Sequence, residues 1–192
     1  MGLHAPTACQ PIQEWSTEMS ASCQLSSKLP CQVAAVCYRR GPTGIEFLLV
    51  NTDGGKWTFP KGSMDPHLSH SEAAANEAQE EAGAVGIIDR AHFHVYLHAK
   101  GVFWKKPGIR ELAVKAFLME VHEVGRPEEP LRNPTWFSPE QAKIALRYRR
   151  EIKYSKELCR VIELAMREIL GRNGLYSGPT ARGPRSPYRQ QL

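Results

Sequence analysis

Apolar positions along the chain follow two periods. QVAAVCYRR (32–40) and IEFLLVN (45–51) are short apolar runs of strand length, separated by the turn signal GPTG. WTF (57–59) is a third short run, and a Gly- and Pro-punctuated loop follows from Pro60 to Leu68. Ser69 with Glu72 three places on forms a capping box, which predicts a helix through about Ala82 with Gly83 in the C′ place. AHFHVYLH (91–98) alternates as a strand does, placing His92, His94 and His98 on one face. Lys100–Arg110 reads as a basic hairpin or loop. LAVKAFLMEV (112–121) is the next strand, with Leu112, Val114, Ala116 and Leu118 on one face. WF at 136–137 leads into a second capping box, Ser138 with Gln141, and Pro139 stands at the first helical position. The last helix is predicted over about 152–169, with Leu158, Val161, Ile162, Ala165 and Ile169 as its buried stripe. Strands, a helix, more strands and two terminal helices imply an α/β (α+β) fold. The regular alternation of a doubly wound sheet is missing.

The two ends lack this periodicity. Residues 1–30 are rich in Ser, Thr, Gln and Pro and are expected to form a mobile extension; residues 171–192 have the Gly, Pro and Arg content of a basic disordered tail. The folded domain is then 31–170. Hydrophobic residues make up 42% and charged residues 23% of the 192, an ordinary globular balance. No apolar run is long enough to span a membrane, and the N-terminal stretch lacks the basic-then-apolar pattern of a secretory signal. The formal charge of +5 invites a nucleic-acid reading. However, the tail holds four of the 25 basic side chains and none of the 20 acids, so the body is close to neutral. The five cysteines form no C-x-x-C pair, which fits neither a disulfide framework nor a zinc ribbon and favours a cytoplasmic setting.

Chemistry enters on the first helix. Glu77, Glu80 and Glu81 sit at i, i+3 and i+4, so their carboxylates share one face, while alanines at 74, 78 and 82 offer a small-residue face for close packing. Acids at this spacing often mark only a solvated helix face. They can also form a platform for a divalent cation, and hard oxygen ligands favour magnesium or manganese.

The whole stretch from Gly62 to Ala84, GSMDPHLSHSEAAANEAQEEAGA, resembles the signature of the Nudix hydrolase superfamily, G-x5-E-x7-R-E-U-x-E-E-x-G-U. Gly62, Glu77, Glu80, Glu81 and Gly83 match at the correct distances, and Ala78 and Ala84 fill the small apolar places. The preceding KWTFPKG is also similar to what precedes the signature in many members. Two positions depart: the family's first Glu is Leu68 here, and its Arg is Asn76.

This resemblance implies an α/β/α sandwich with a mixed sheet and hydrolysis of a diphosphate linked to another moiety. It also implies Mg²⁺ or Mn²⁺ held by Glu77, Glu80, Glu81 and the main chain of Gly62. Members often recruit a later acid as well; Glu111, Glu120 and Glu123 are the choices, with Glu120 taken as catalytic. Lys61, Lys105 and Arg110 are candidate phosphate contacts and Trp104 a candidate stacking surface for a base. Trp57 and Trp136 are expected in the core, and Arg147, Arg149, Arg150, Lys153 and Lys156 form a second basic cluster. The resemblance leans toward the branch acting on dinucleoside polyphosphates and diphosphoinositol polyphosphates. The expected partner is a small phosphorylated substrate, with no membrane or nucleic acid, and a homodimer stays open. Two rival readings are a weakened nucleotide-sensing module of the same fold, motivated by Leu68 and Asn76, and a nucleic-acid-associated protein using the Arg-rich tail.

Overall fold

The computed structural model describes residues 30–99 and 111–172. Residues 1–29, 100–110 and 173–192, and with them Lys100, Trp104, Lys105, Lys106 and Arg110, lie outside the described residues. Two strands organise the sheet. β1 (Cys31–Gly41) and β7 (Glu111–Val124) pair in parallel from Cys31 beside Ala113 to Tyr38 beside Glu120. Both have long apolar stretches buried on each face, which suits central strands rather than surface ones.

Each central strand divides its other edge between two neighbours. The start of β1 takes β4 (Lys61–Ser63) and its end takes β2 (Gly44–Asn51), both antiparallel. On β7, the start takes β6 (His94–Ala99) and the end takes β5 (Ala84–Ile88). β3 (Trp57–Thr58) and β8 (Thr135–Phe137) complete an eight-stranded mixed sheet through β2.

Helices cover both faces, giving the α/β/α sandwich. Ala34, Val36, Phe47, Val114, Ala116 and Leu118 face α2 (Pro139–Arg147) and α3 (Ile152–Arg172), whose Leu146, Leu158, Ile162, Ala165 and Ile169 fill that side. Val33, Ala35, Cys37, Phe117 and Met119 face α1 (His70–Ala82), which meets them with Ala73, Ala74, Ala78 and Ala82. Both predicted capping boxes form. Ser69 accepts from Glu72 N–H at 3.3 Å while Glu72 accepts from Ser69 N–H at 2.8 Å, and Ser138 pairs with Gln141 in the same way.

The structure corrects three sequence expectations. Lys61–Ser63, inside the expected loop, is a strand, because its backbone completes the free half of the β1 edge. β5 went unread because it follows Gly83 without a spacer and exposes Val85 and Ile87, so it lacks a strand-like apolar run. His92 does not share a face with His94 and His98: it precedes β6 and packs edge-on against Phe117, on the α1 side of the sheet. Trp57 and Trp136 pack as expected, Trp57 edge-on to Phe137 and Trp136 beneath the Arg39 guanidinium.

Gly83 closes α1 at φ 63°, and its N–H donates to the carbonyls of Ala78 and Gln79. A Cβ there would also run into the Gly125 carbonyl. Gly83→Ala should therefore destabilise the protein by more than about 1 kcal/mol, through both the left-handed backbone and the clash. Ser69→Ala should cost about 1 kcal/mol by removing the N-cap alone. Urea denaturation of both variants checks the order.

Candidate functional site

The small face of α1 positions the site. Ala74, Ala78 and Ala82 are fully buried against the sheet, so the helix lies close to it and its carboxylates reach the backbone of β4. Glu77 lies directly over Gly62, where any Cβ would overlap its carboxylate. A side chain here would displace the Glu77 carboxylate, so the glycine, at an ordinary φ, leaves room for it over the backbone. One turn on, the Glu81 carboxylate is buried and accepts from the Lys61 main-chain N–H at 3.1 Å. Glu80 is exposed.

A second segment closes over the end of α1. After β7 the chain docks through Gly125 N–H to the Gly83 carbonyl at 2.8 Å. Glu128 and Glu129 N–H then donate to the Glu80 carbonyl at 2.9 and 3.1 Å. A short 3-10 helix, Pro130–Arg132, follows and turns the Arg132 guanidinium onto Glu81 at 2.8 Å and onto Glu129 at 2.7 Å.

Burial and crowding of like charge govern the electrostatics. The Glu77 carboxyl is pushed up to about 7 by burial first, then by the charges of Glu81 and Glu80. Among the described residues no hydrogen-bond donor or ion-pair partner is held against it, although the Lys61 charge acts on it. Glu81 is also raised, by burial, against the pull of Arg132 and the Lys61 N–H. Burial lowers the Lys61 ammonium while Glu81 supports its charge. On the α3 side of the sheet, burial drives His98 down to about 3, next to the charges of Lys61, Arg150 and Lys56. The Tyr96 hydroxyl is buried there without a hydrogen-bond partner among the described residues.

Of the residues singled out by the sequence, Gly62, Glu77, Glu81 and Lys61 come together, and Glu80 borders them. Glu120 does not join them. It lies five residues further along β7 than the level of Gly62, its carboxylate accepting from the Tyr38 hydroxyl at 3.0 Å and facing Arg40 at 3.6 Å. Glu111 is bonded to Lys153 and Tyr154, and Glu123 is exposed beside β5. The late basic cluster disperses: Arg150 donates to the Trp57 and Leu146 carbonyls, while Arg147, Arg149 and Lys156 are exposed. Leu68 packs against the α1-side core, and Asn76 is exposed and makes no hydrogen bond among the described residues. Arg132 and Glu129 were not foreseen, because nothing local in PEEPLRN (127–133) ties them to a helix about fifty residues earlier.

The donor set near Gly62 is all oxygen, which suits magnesium or manganese rather than a soft metal. Among the described residues, no three His, Cys, Asp or Glu side chains converge into a ready cage. Glu77, half-buried with no donor held against it among the described residues and beside a glycine backbone, is the group best placed to meet a cation, and Glu81 is the next.

Comparison with known proteins bears on the whole domain. The family model described as NUDIX domain matches residues 30–158. Among solved structures, the C. elegans Ap4A hydrolase binary complex is 22% identical, covers 74% of this chain and 99% of its own, and superposes with a TM-score of 0.58. The pyrophosphohydrolase BsRppH of Bacillus subtilis is 15% identical over 86% of this chain and 90% of its own, at TM-score 0.52. The NUDIX domain of Shewanella oneidensis NrtR, complexed with ADP ribose, is 14% identical over 80% and 98%, also at 0.52. At these identities the structural likeness establishes the fold.

A carboxyl group raised on folding binds its proton more tightly in the native state, so metal-free stability falls as pH rises from the ordinary value of 4.5 to about 7. Above that window the loss is complete. Glu77→Gln should flatten this slope and make the metal-free protein more stable at pH 8, by an amount on the order of 1 kcal/mol once residual solvation is allowed for. Urea titrations in chelator at pH 5, 6, 7 and 8 measure it; parallel slopes for wild type and variant would refute the assignment.

Proposed function

The chain belongs to the Nudix hydrolase family, and from that premise we propose that it is a metal-dependent pyrophosphohydrolase cleaving a diphosphate bond in a nucleoside diphosphate linked to another moiety. The single observation that carries this reading is the Glu77 carboxylate laid over Gly62 with Glu81 one turn away. Mg²⁺ or Mn²⁺ bound there supplies charge neutralisation on the phosphate oxygens and a more acidic water. Glu77 and Glu81 hold it, with Glu80 at the rim and the Gly62 main chain beside them. Lys61 contributes a positive charge to the phosphates from the adjacent β4 position, and Lys105, Arg110 and Trp104 remain substrate contacts in this proposal. Water oxygen bonds to one phosphorus, the bridging P–O bond breaks, and the proton of the water passes to a carboxylate base.

Dinucleoside polyphosphates and diphosphoinositol polyphosphates are the first substrates to try. The Ap4A hydrolase among the structural neighbours supports the former, and the cationic surroundings of Lys61, Arg150 and Lys56 support a highly anionic ligand in general. Leu68 and Asn76 favour a second reading, a nucleotide-sensing module, and the ADP-ribose-bound neighbour lends it support.

A phosphate-release screen with Mg²⁺ and with Mn²⁺ over dinucleoside polyphosphates, nucleoside diphosphate sugars and diphosphoinositols tests the class. On the best substrate, Glu81→Gln should lower turnover at least about a hundredfold. Asn76→Arg should raise it less than about tenfold, since position 76 is exposed and hydrogen-bonds to neither Glu77 nor Glu81. Normal turnover by Glu81→Gln would remove the catalytic role, and tight ADP-ribose binding without hydrolysis by the wild type would favour the sensing module.

A further inference from the structure

Arg132 stands in a place that the hydrolase reading does not explain. Its guanidinium is 2.8 Å from Glu81 Oε1, and the Lys61 N–H takes Glu81 Oε2 at 3.1 Å. Both carboxylate oxygens are thereby fixed, on a side chain only 5% exposed. The arginine is held in turn. Its segment is tied to the end of α1 by two N–H bonds to the Glu80 carbonyl, its Nε is bonded to Glu129, and it bends through Asn133 in the left-handed region at φ 47°. Asp53, on the turn between β2 and β3, adds a third negative charge near it. A surface ion pair of this length would mean little, but here one partner is buried and the other is clamped. Meanwhile α1 itself carries no basic residue that could serve Glu81, since Asn76 is exposed and uncharged.

We propose that Arg132 is a positioning residue for the helix carboxylates: it supplies, from the loop after β7, the positive charge that α1 lacks, and it fixes Glu81 in the orientation that a divalent cation requires. The inference rests on the hydrolase reading for its effect on turnover, but not for its effect on metal binding. A buried carboxylate stripped of its partner does not keep both its charge and its rotamer. The sign of the metal effect is therefore decisive. A merely repelling cation, once removed, would let Mn²⁺ bind more tightly; a positioning residue, once removed, makes it bind more weakly.

The test is calorimetric titration of the full chain with Mn²⁺ alone, in wild type, Arg132→Ala, Glu81→Gln and the double variant, with thermal melts of each. Arg132→Ala should weaken Mn²⁺ binding by about tenfold or more, the scale of one charge-assisted hydrogen bond. In the Glu81→Gln background the same change should have almost no further effect. On the best substrate kcat should fall with KM little changed, and Arg132→Lys should recover part of the loss. If Arg132→Ala fails to fold, Arg132→Gln, which keeps the aliphatic stem, takes its place against Arg132→Lys. Unchanged or tighter Mn²⁺ binding overturns the proposal, as does an effect that is simply additive with Glu81→Gln. Absence of turnover in the wild type would count against the hydrolase reading alone, because the Mn²⁺ cycle needs no substrate.

Discussion

The distance between α1 and the sheet governs most of what this domain can do. Ala74, Ala78 and Ala82 recur every fourth residue and are wholly buried, so the helix axis comes nearer than larger side chains would allow. That approach brings Glu77 onto Gly62 and Glu81 onto the Lys61 N–H, and it takes both carboxylates partly out of water. The perturbed proton affinities then follow from the packing. A leucine at 78 would push the helix out and return its acids to solvent, where they would be ordinary surface glutamates.

Much of this was legible because it is local. The capping boxes at Ser69 and Ser138, the glycine after α1 and the acid spacing each depend on residues within four places of one another. The apolar stripe of α3 was equally plain, with all five anticipated residues in the core. What escaped reading depends on distant partners. Lys61–Ser63 becomes a strand only because β1 has an open half-edge, and Arg132 meets Glu81 only because the chain after β7 folds back over α1. Glu120 shows the same lesson in reverse: it was the choice among the later acids, but the β1–β7 register sets it beside Tyr38, away from Gly62.

The site is also asymmetric in charge. On the α1 side the acids crowd together and raise one another, while on the α3 side Lys61, Arg150 and the neutral His98 meet under the same strands.

The parallel pairing of β1 with β7 carries a kinetic consequence. It joins residues about 82 positions apart, and no hairpin can nucleate it. Until that long loop closes, α1 has only half of its alanine-lined seat, because Val33, Ala35 and Cys37 come from one strand and Phe117 and Met119 from the other. The segment that brings Arg132 back to the helix also follows β7. Gly62, Glu77, Glu81 and Arg132 therefore come together late, in the same cooperative step as this long-range pairing. A nascent or partly unfolded molecule holds all three helix glutamates in its sequence and yet has no organised centre in which they act together.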